Sequence, residues 1–372
     1  RDKVREEEKF AVVASARGNA TDELLEILEL AKTGGDYHEK LEAFKKYQIE
    51  PDPSIDLEAE FSLLKKLYDG VNLLGDYSNK IRDRIIAQGE LLAVKMLAGL
   101  LQKEGIAAQP VDSRKLIKTD GSFGEAIPIQ KVSKENVIRH FKKNDHELQI
   151  VTGFIASNLE DETTTLGRNG SNYSASLIAN YLDAEELENY THVNGIYTAN
   201  PDLVADAQMI EELTFQEANE LANFGANILH AKTIIPLVEK NIPLRLLNTF
   251  DPQNKGTLIK STVKNKGIRS VTVQENVSLI SLEGRGLLGK AGVDARIFSA
   301  LAKENISVSI ISQGSSERGI GFTVNSNDAK NAKLALEKEF KIEFETQDVN
   351  RVEVLSYLVI VSIIGQTLDN FH

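Results

Sequence analysis

The chain has no cysteine among its 372 residues. That excludes a disulfide framework, a thiolate metal site and a cysteine nucleophile, and it suits a reducing cytoplasm. No G-x-x-x-x-G-K-[ST] run occurs, which rules out a Walker-type phosphate loop. The six histidines (38, 140, 146, 192, 230 and 372) lack metal-ligand spacing, so no metal site built from protein ligands is expected. No apolar run approaches the roughly 18 to 20 residues of a spanning helix, and no signal peptide opens the chain. The formal net charge of -12 has the wrong sign for a general affinity for nucleic acid or anionic membrane.

What is present is alternation. FAVVASA reads as a buried parallel strand, and TDELLEILELAKTGG as a helix capped by Thr21 and closed by glycines. Residues 54–105 carry helical periodicity, ELQIVTGFIAS is a second buried strand, and EEANELANFGANILHAKTIIPLVEKN is helical before the strand IPLRLLNTF. Strands alternating with helices predict a mostly parallel sheet covered on both faces. DPQNKGTLIKSTVKNKG reads as a polar linker, which puts a first domain at 1-262 and a second at 268-372. The second spells β-α-β-β-α-β, the ferredoxin-like order; YLVIVSIIGQTLDNFH then resembles its first strand again, as though a second copy begins. That fragment and the charged opening RDKVREEEKF lead us to expect a longer parent chain.

Two glycine motifs need weighing. SLEGRGLLGKAG holds a G-x-G-x-x-G (Gly284, Gly286, Gly289), but the next strand ends Ile311-Ser312-Gln313 without the acidic residue that a dinucleotide site uses. A glycine turn that lets a small ligand approach is the better reading. The stretch TTTLGRNGSNYSASLIANYL runs two glycines, an arginine and several hydroxyls into a helix. Such a loop is either a tight surface turn or an anion site at a helix N-terminus. Ser15 and Thr21 on the first strand-to-helix loop, and Glu90 after a glycine in IIAQGELLA, favour the second. Arg168 would take a carboxylate bidentately and Glu90 an ammonium, which suits a zwitterion.

Together these segments resemble aspartokinase, of the amino acid kinase superfamily, over nearly the whole chain. VVASARGNATDELL, AQGELLAVKMLAGLLQKEG, GFIAS with TTTLGRNGSNYSAS, YTHVNGIYTANP and EANELANFGANILHAKTIIP match that family in order, and ISQGSSERGIGFTV resembles the ACT regulatory domain of the fused aspartokinase–homoserine dehydrogenases. The resemblance implies a three-layer α/β/α sandwich with a mostly parallel sheet, followed by a ferredoxin-like ACT domain. It implies phosphoryl transfer from ATP, with Mg2+, to the β-carboxylate of L-aspartate. Ser15, Thr21, Glu90 and Arg168 would hold aspartate; Thr191 and Tyr197 would line the nucleotide site. Ile311, Gln313 and the turn from Gly289 to Asp294 would hold L-threonine as effector. A homodimer or higher homo-oligomer through the ACT units is expected.

The chain departs from the family's pattern at charged positions. Asn172 stands where a catalytic aspartate is usual, His192 for an aspartate, Asp202 for an arginine and Asn227 for a phosphate-contacting lysine. Nothing matches the family's opening Lys-Phe-Gly-Gly motif. Two functions therefore compete: an active aspartate kinase, or a kinase-fold module that binds an effector and gates an attached dehydrogenase.

Overall fold

The computed structural model describes residues 9–144, 147–223, 231–264, 267–284, 291–313 and 319–366. The chain divides into two compact units. The larger comprises Arg1–Asn194, Glu212–Phe215 and His230–Thr262; the smaller comprises Gly195–Glu211, Gln216–Leu229 and Val263–His372.

In the larger unit β1 (Val12–Ala14), β2 (Ala108–Val111) and β3 (Leu148–Thr152) form a parallel sheet in the order β1-β3-β2. Successive side chains of a strand face opposite ways, and here each face finds helices. Ile150 packs with Val94 and Ala98 of α4 (Asn79–Lys103). Val151 packs with Val137 of α5 (Gln130–Lys143) and with Leu177 and Ile178 of α6 (Gly170–Leu182). Outside α4 lie α1 (Ala20–Lys32), α2 (His38–Ile49) and α3 (Glu58–Leu74), joined to it by a core that includes Leu24, Leu28, Leu64, Tyr68, Ile85 and Ile86. These layers explain why α4 is both long and apolar: it meets apolar neighbours on several sides. It is in fact long and apolar enough to cross a membrane by length and composition, contrary to the expectation that no stretch was, but most of it is buried inside the protein.

Three local readings change. Helix α1 begins at Ala20 behind Asn19, with no side-chain cap, because the Arg17–Gly18 turn (Gly18 φ 59) lets Ala20 N–H bond to Arg17 C=O at 3.2 Å; Thr21 sits inside the first turn. The strand ELQIVTGFIAS breaks at Gly153-Phe154 into β3 and β4 (Ile155–Ser157), and β4 pairs with β5 (Thr163–Thr165) in a separate hairpin. The polar linker contains a strand, β9 (Thr257–Lys260), internal to the sheet β6-β8-β9-β7 made with β6 (Leu187–Thr191), β7 (Glu212–Thr214) and β8 (Leu244–Asn248). Gly256 makes the return possible: its φ is 67, and a Cβ there would lie 1.8 Å from the Leu246 carbonyl oxygen. Helices α7 (Phe215–Asn223) and α8 (Ala231–Lys240) precede β8.

The smaller unit holds β10 (Gly267–Glu283), α9 (Val293–Lys303), β11 (Ile311–Gln313), β12 (Gly319–Asn325), α10 (Ala329–Glu339), α11 (Lys341–Glu345) and β13 (Arg351–Gln366). Its antiparallel sheet runs β11-β12-β10-β13, the ferredoxin-like arrangement, over a core of Ile280, Leu282, Ile297, Phe322, Leu336 and Phe340. VEVLS and YLVIVSIIG are consecutive parts of β13, with Tyr357 at φ 61 between them; β10 follows the same course, with Asn276 at φ 58. The turn around Tyr197 clusters with this unit: Val271 N–H bonds to Thr198 C=O at 2.8 Å and the Ser270 hydroxyl to Tyr197 C=O at 2.9 Å.

Candidate active site

The C-terminal ends of parallel strands are where an open α/β sheet builds its ligand crevice. Here β1 and β3 end side by side, with Gly153 N–H donating to Ala14 C=O at 2.8 Å. Ser15 follows β1 and is exposed, and Thr21 is half-buried in the first turn of α1. Between them Ala16 N–H donates to Glu90 Oε1 at 3.4 Å. Gly89 permits that approach, since a Cβ there would lie 2.9 Å from Ala16 Cβ and 3.6 Å from Ala20 Cβ.

Glu90 is the chemically charged feature of this crevice. It is 2% exposed, and its Oε2 has no hydrogen-bond partner. Burial pushes its pKa up to about 8, against the smaller opposing effect of backbone hydrogen bonds that include Ala16 N–H. A buried carboxyl with a free oxygen and no cation paired to it among the described residues is built to receive a positively charged or donor-rich group.

The glycine–arginine loop reaches the same edge from the other side. Ser171, in the first turn of α6, lies against Gly153; a Cβ on that glycine would meet Ser171 Cβ at 2.7 Å. Gly170 lies against Phe154 in the same way, at 2.6 Å, and Phe154 takes φ 63 to make the corner. The Ser174 hydroxyl accepts from Phe154 N–H at 3.0 Å and donates to Gly170 C=O at 3.0 Å. Asn169 caps α6 in the left-handed region without a side-chain bond; Gly170 N–H turns back to Gly167 C=O at 3.0 Å, and the Ser171 and Asn172 N–H groups have no partner among the described residues. Arg168 is exposed and has no ion pair among the described residues. Asn172 is half-buried, one residue beyond Ser171.

The structure thus brings Ser15, Thr21, Glu90, Arg168 and Asn172 to one edge of one sheet. Thr191 and His192 lie at the C-terminal end of another parallel pair, β6 and β8. Thr191 Oγ1 accepts from Val193 N–H at 3.1 Å and its C=O from Thr249 N–H at 2.8 Å, while His192 is exposed. Tyr197 and Asp202 belong to the smaller unit. Asn227 and Gly289 lie outside the described residues. In the smaller unit Ile311 and Gln313 are exposed on β11, and Asp294 is exposed in the first turn of α9.

One reading of the sequence is corrected. Gly284 gives no room to a ligand: a Cβ there would lie 2.1 Å from the Asp348 carbonyl oxygen, so this glycine serves chain packing. Arg17, a cation on the Ser15 loop, is already engaged; it pairs with Glu50 at 2.7 Å, bonds to Tyr47 C=O and stacks 4.0 Å over the Tyr47 ring. One residue escaped notice. Asp83 is fully buried and accepts from Gly124 N–H at 2.8 Å, Thr165 N–H at 3.0 Å and Thr165 Oγ1 at 3.1 Å. The available signal was its spacing of seven residues from Glu90, two turns along one helix face.

The amino acid kinase family model matches residues 1–248, and an ACT domain model matches residues 280–340. The bifunctional aspartokinase/homoserine dehydrogenase of Haemophilus influenzae is 32% identical over 96% of this chain, which covers 46% of that protein. Lysine-sensitive aspartokinase 3 of Escherichia coli is 31% identical over 96% of this chain and is covered to 81%. The chain thus spans about half the length of the bifunctional relatives it matches. Among solved structures, E. coli aspartokinase III in complex with aspartate and ADP superposes with a TM-score of 0.82 at 29% identity, covering 99% of this chain and 83% of that one. The same enzyme with lysine and aspartate gives 0.80 at 30%, covering 98% and 82%.

Proposed function

The chain belongs to the amino acid kinase family, on its aspartokinase branch, and from that premise we propose that it transfers the γ-phosphoryl group of MgATP to the β-carboxylate of L-aspartate, giving 4-phospho-L-aspartate. The observation that carries this reading is Glu90, a buried carboxyl with one free oxygen at the crevice edge. An α-ammonium fits it. Arg168, free of ion pairs among the described residues, then takes the α-carboxylate. With both α-groups of the amino acid held, the β-carboxylate is directed along the edge toward Asn172 and the N-terminus of α6, where N–H groups favour a phosphoryl oxygen. A β-carboxylate oxygen forms the new P–O bond as the bond to the ADP leaving group breaks. Such transfer depends on positioning and on stabilising charge as it develops. Thr191, His192, Tyr197 and Asn227 are the nucleotide-side residues of this reading. Mg2+, when bound, neutralises phosphate charge; it arrives with the nucleotide, since it prefers one or two protein oxygens plus phosphates.

Control belongs to the same proposal. L-Threonine would bind the ACT unit near Ile311, Gln313 and Asp294, two copies would associate through these units, and the protein would work in the cytoplasm. One observation favours the second reading, an effector-binding module that gates an attached homoserine dehydrogenase: Arg17 is committed to Glu50 and does not supply the positive charge that Asn227 lacks.

The test is ATP-dependent formation of aspartyl phosphate, trapped as the hydroxamate, beside Arg168→Ala and Asn172→Asp. Turnover above the enzyme-free blank, lost in Arg168→Ala, supports the kinase. No turnover, with threonine or aspartate still binding by calorimetry, supports the module.

A further inference from the structure

We propose that Asp83 is a positioning residue for the Arg168 turn: through Thr165 and Gly124 it fixes the backbone that aims this arginine at its anionic partner. This rests on the reading of Arg168 as the carboxylate-binding residue. Arg168 has no ion pair among the described residues, so its direction is set by the backbone that carries it. Two segments fix that backbone. Strand β5 leads in through Thr165, and the turn at Gly124-Glu125 backs the glycine preceding the arginine: a Cβ on Gly167 (φ 76) would meet Glu125 Cγ at 3.0 Å and the Gly124 carbonyl oxygen at 3.4 Å. Asp83 ties the two segments together, with Gly124 N–H, Thr165 N–H and Thr165 Oγ1 all converging on its carboxylate. Ala126 N–H closes the arrangement on Thr165 C=O at 2.9 Å.

Removing this carboxylate leaves the Gly124 and Thr165 N–H groups without an acceptor and frees the backing turn to drift from Gly167. A bidentate fork is demanding in orientation, and a displacement near 1 Å costs about 100-fold when geometry carries the interaction. Asparagine should rescue. Thr165 Oγ1 also lies 3.3 Å from Gly124 C=O, so it can donate there and accept from the new amide, while the amide carbonyl keeps the two N–H bonds.

The experiment is calorimetric titration of the full chain with L-aspartate and, separately, with an ATP analogue, plus a thermal melt of each variant. Expected results are an aspartate Kd raised about 10- to 100-fold in Asp83→Ala, an unchanged nucleotide Kd, and near wild-type aspartate binding in Asp83→Asn. Should Asp83→Ala fail to fold, Thr165→Val is read instead, with an expected weakening of about 3- to 10-fold for aspartate alone. Wild-type aspartate affinity in folded Asp83→Ala or in Thr165→Val, with Arg168→Ala weakened, overturns the proposal and leaves the function intact. Equal loss of aspartate and nucleotide affinity also overturns it, because that marks a general structural role. Unchanged binding in Arg168→Ala overturns the reading of the arginine itself.

Discussion

Glu90 Oε1 accepts from the backbone N–H of Ala16 at 3.4 Å, while its second oxygen is buried with no hydrogen bond. The side chain is therefore tethered to the strand-to-helix loop through one oxygen, and the other is left to take a donor.

On the proposed function, that arrangement gives aspartate binding a pH dependence. With its pKa pushed up to about 8, Glu90 is mostly protonated in the free protein at neutral pH and must ionise to pair with an ammonium. Binding then releases a proton, and affinity rises as pH climbs toward 8 before levelling. Isothermal titration in two buffers of different ionisation enthalpy measures the released proton. A proton count of zero at pH 7 counts against the assignment.

Stability follows the opposite slope. A carboxyl whose folded pKa lies above its unfolded value binds more protons in the native state, so unfolding free energy falls as pH rises from about 4.5 to about 8. Glu90→Gln removes this term and is expected to stabilise the free protein at pH 8 by on the order of 1 to 3 kcal/mol. The same change should weaken aspartate about 10- to 100-fold, as loss of a hydrogen bond to a charged group does. Urea midpoints at pH 6 and pH 8 check the first half; calorimetry checks the second.

Gly153 tests the fit between β3 and α6. Its N–H holds Ala14 C=O, and an added Cβ would meet both Cβ and Cα of Ser171, at 2.7 and 2.8 Å. Backbone on one side and a helix turn on the other leave little room to yield. Gly153→Ala should cost about 1 to 3 kcal/mol and shift the Ser171–Asn172 turn, which on the proposed function lowers kcat. A melting temperature within a degree of wild type would show that α6 adjusts freely.

Much of this was legible in advance because it rests on period and local chemistry. Ile150 and Val151 alternate between two helical layers, as a buried strand must. Gly89-Glu90 and the Gly167–Gly170 loop announced themselves by residue type. Turns set by long-range contact were not legible. The Gly256 return, which makes β9 an inner strand, depends on the Leu246 carbonyl ten residues away. The break at Phe154 depends on Ser174 receiving its N–H. Gly284 looked like a ligand turn because nothing local reveals that Asp348 closes on it. Asp83 passed unremarked because its donors come from segments about 40 and 80 residues away.

The last prediction separates the two ends of the proposed substrate. The α-carboxylate does not change charge during transfer, so Arg168 contributes equally to bound substrate and transition state. Uniform binding of this kind appears in KM and not in kcat. Arg168→Ala should therefore raise the aspartate KM about 10- to 100-fold with kcat nearly unchanged. Arg168→Lys should recover little of it, because a point charge cannot reproduce a planar fork. Asn172 lies one residue from Ser171, at the end where the phosphoryl group would travel, and its role is opposite. On the proposed function, Asn172→Asp changes charge beside the reacting oxygens and should move kcat, with the aspartate KM altered by less than about threefold. Steady-state kinetics of the three variants decide the matter: an Arg168→Ala variant that loses kcat at saturating aspartate would place the arginine on the transferring phosphate and not on the substrate's α-carboxylate.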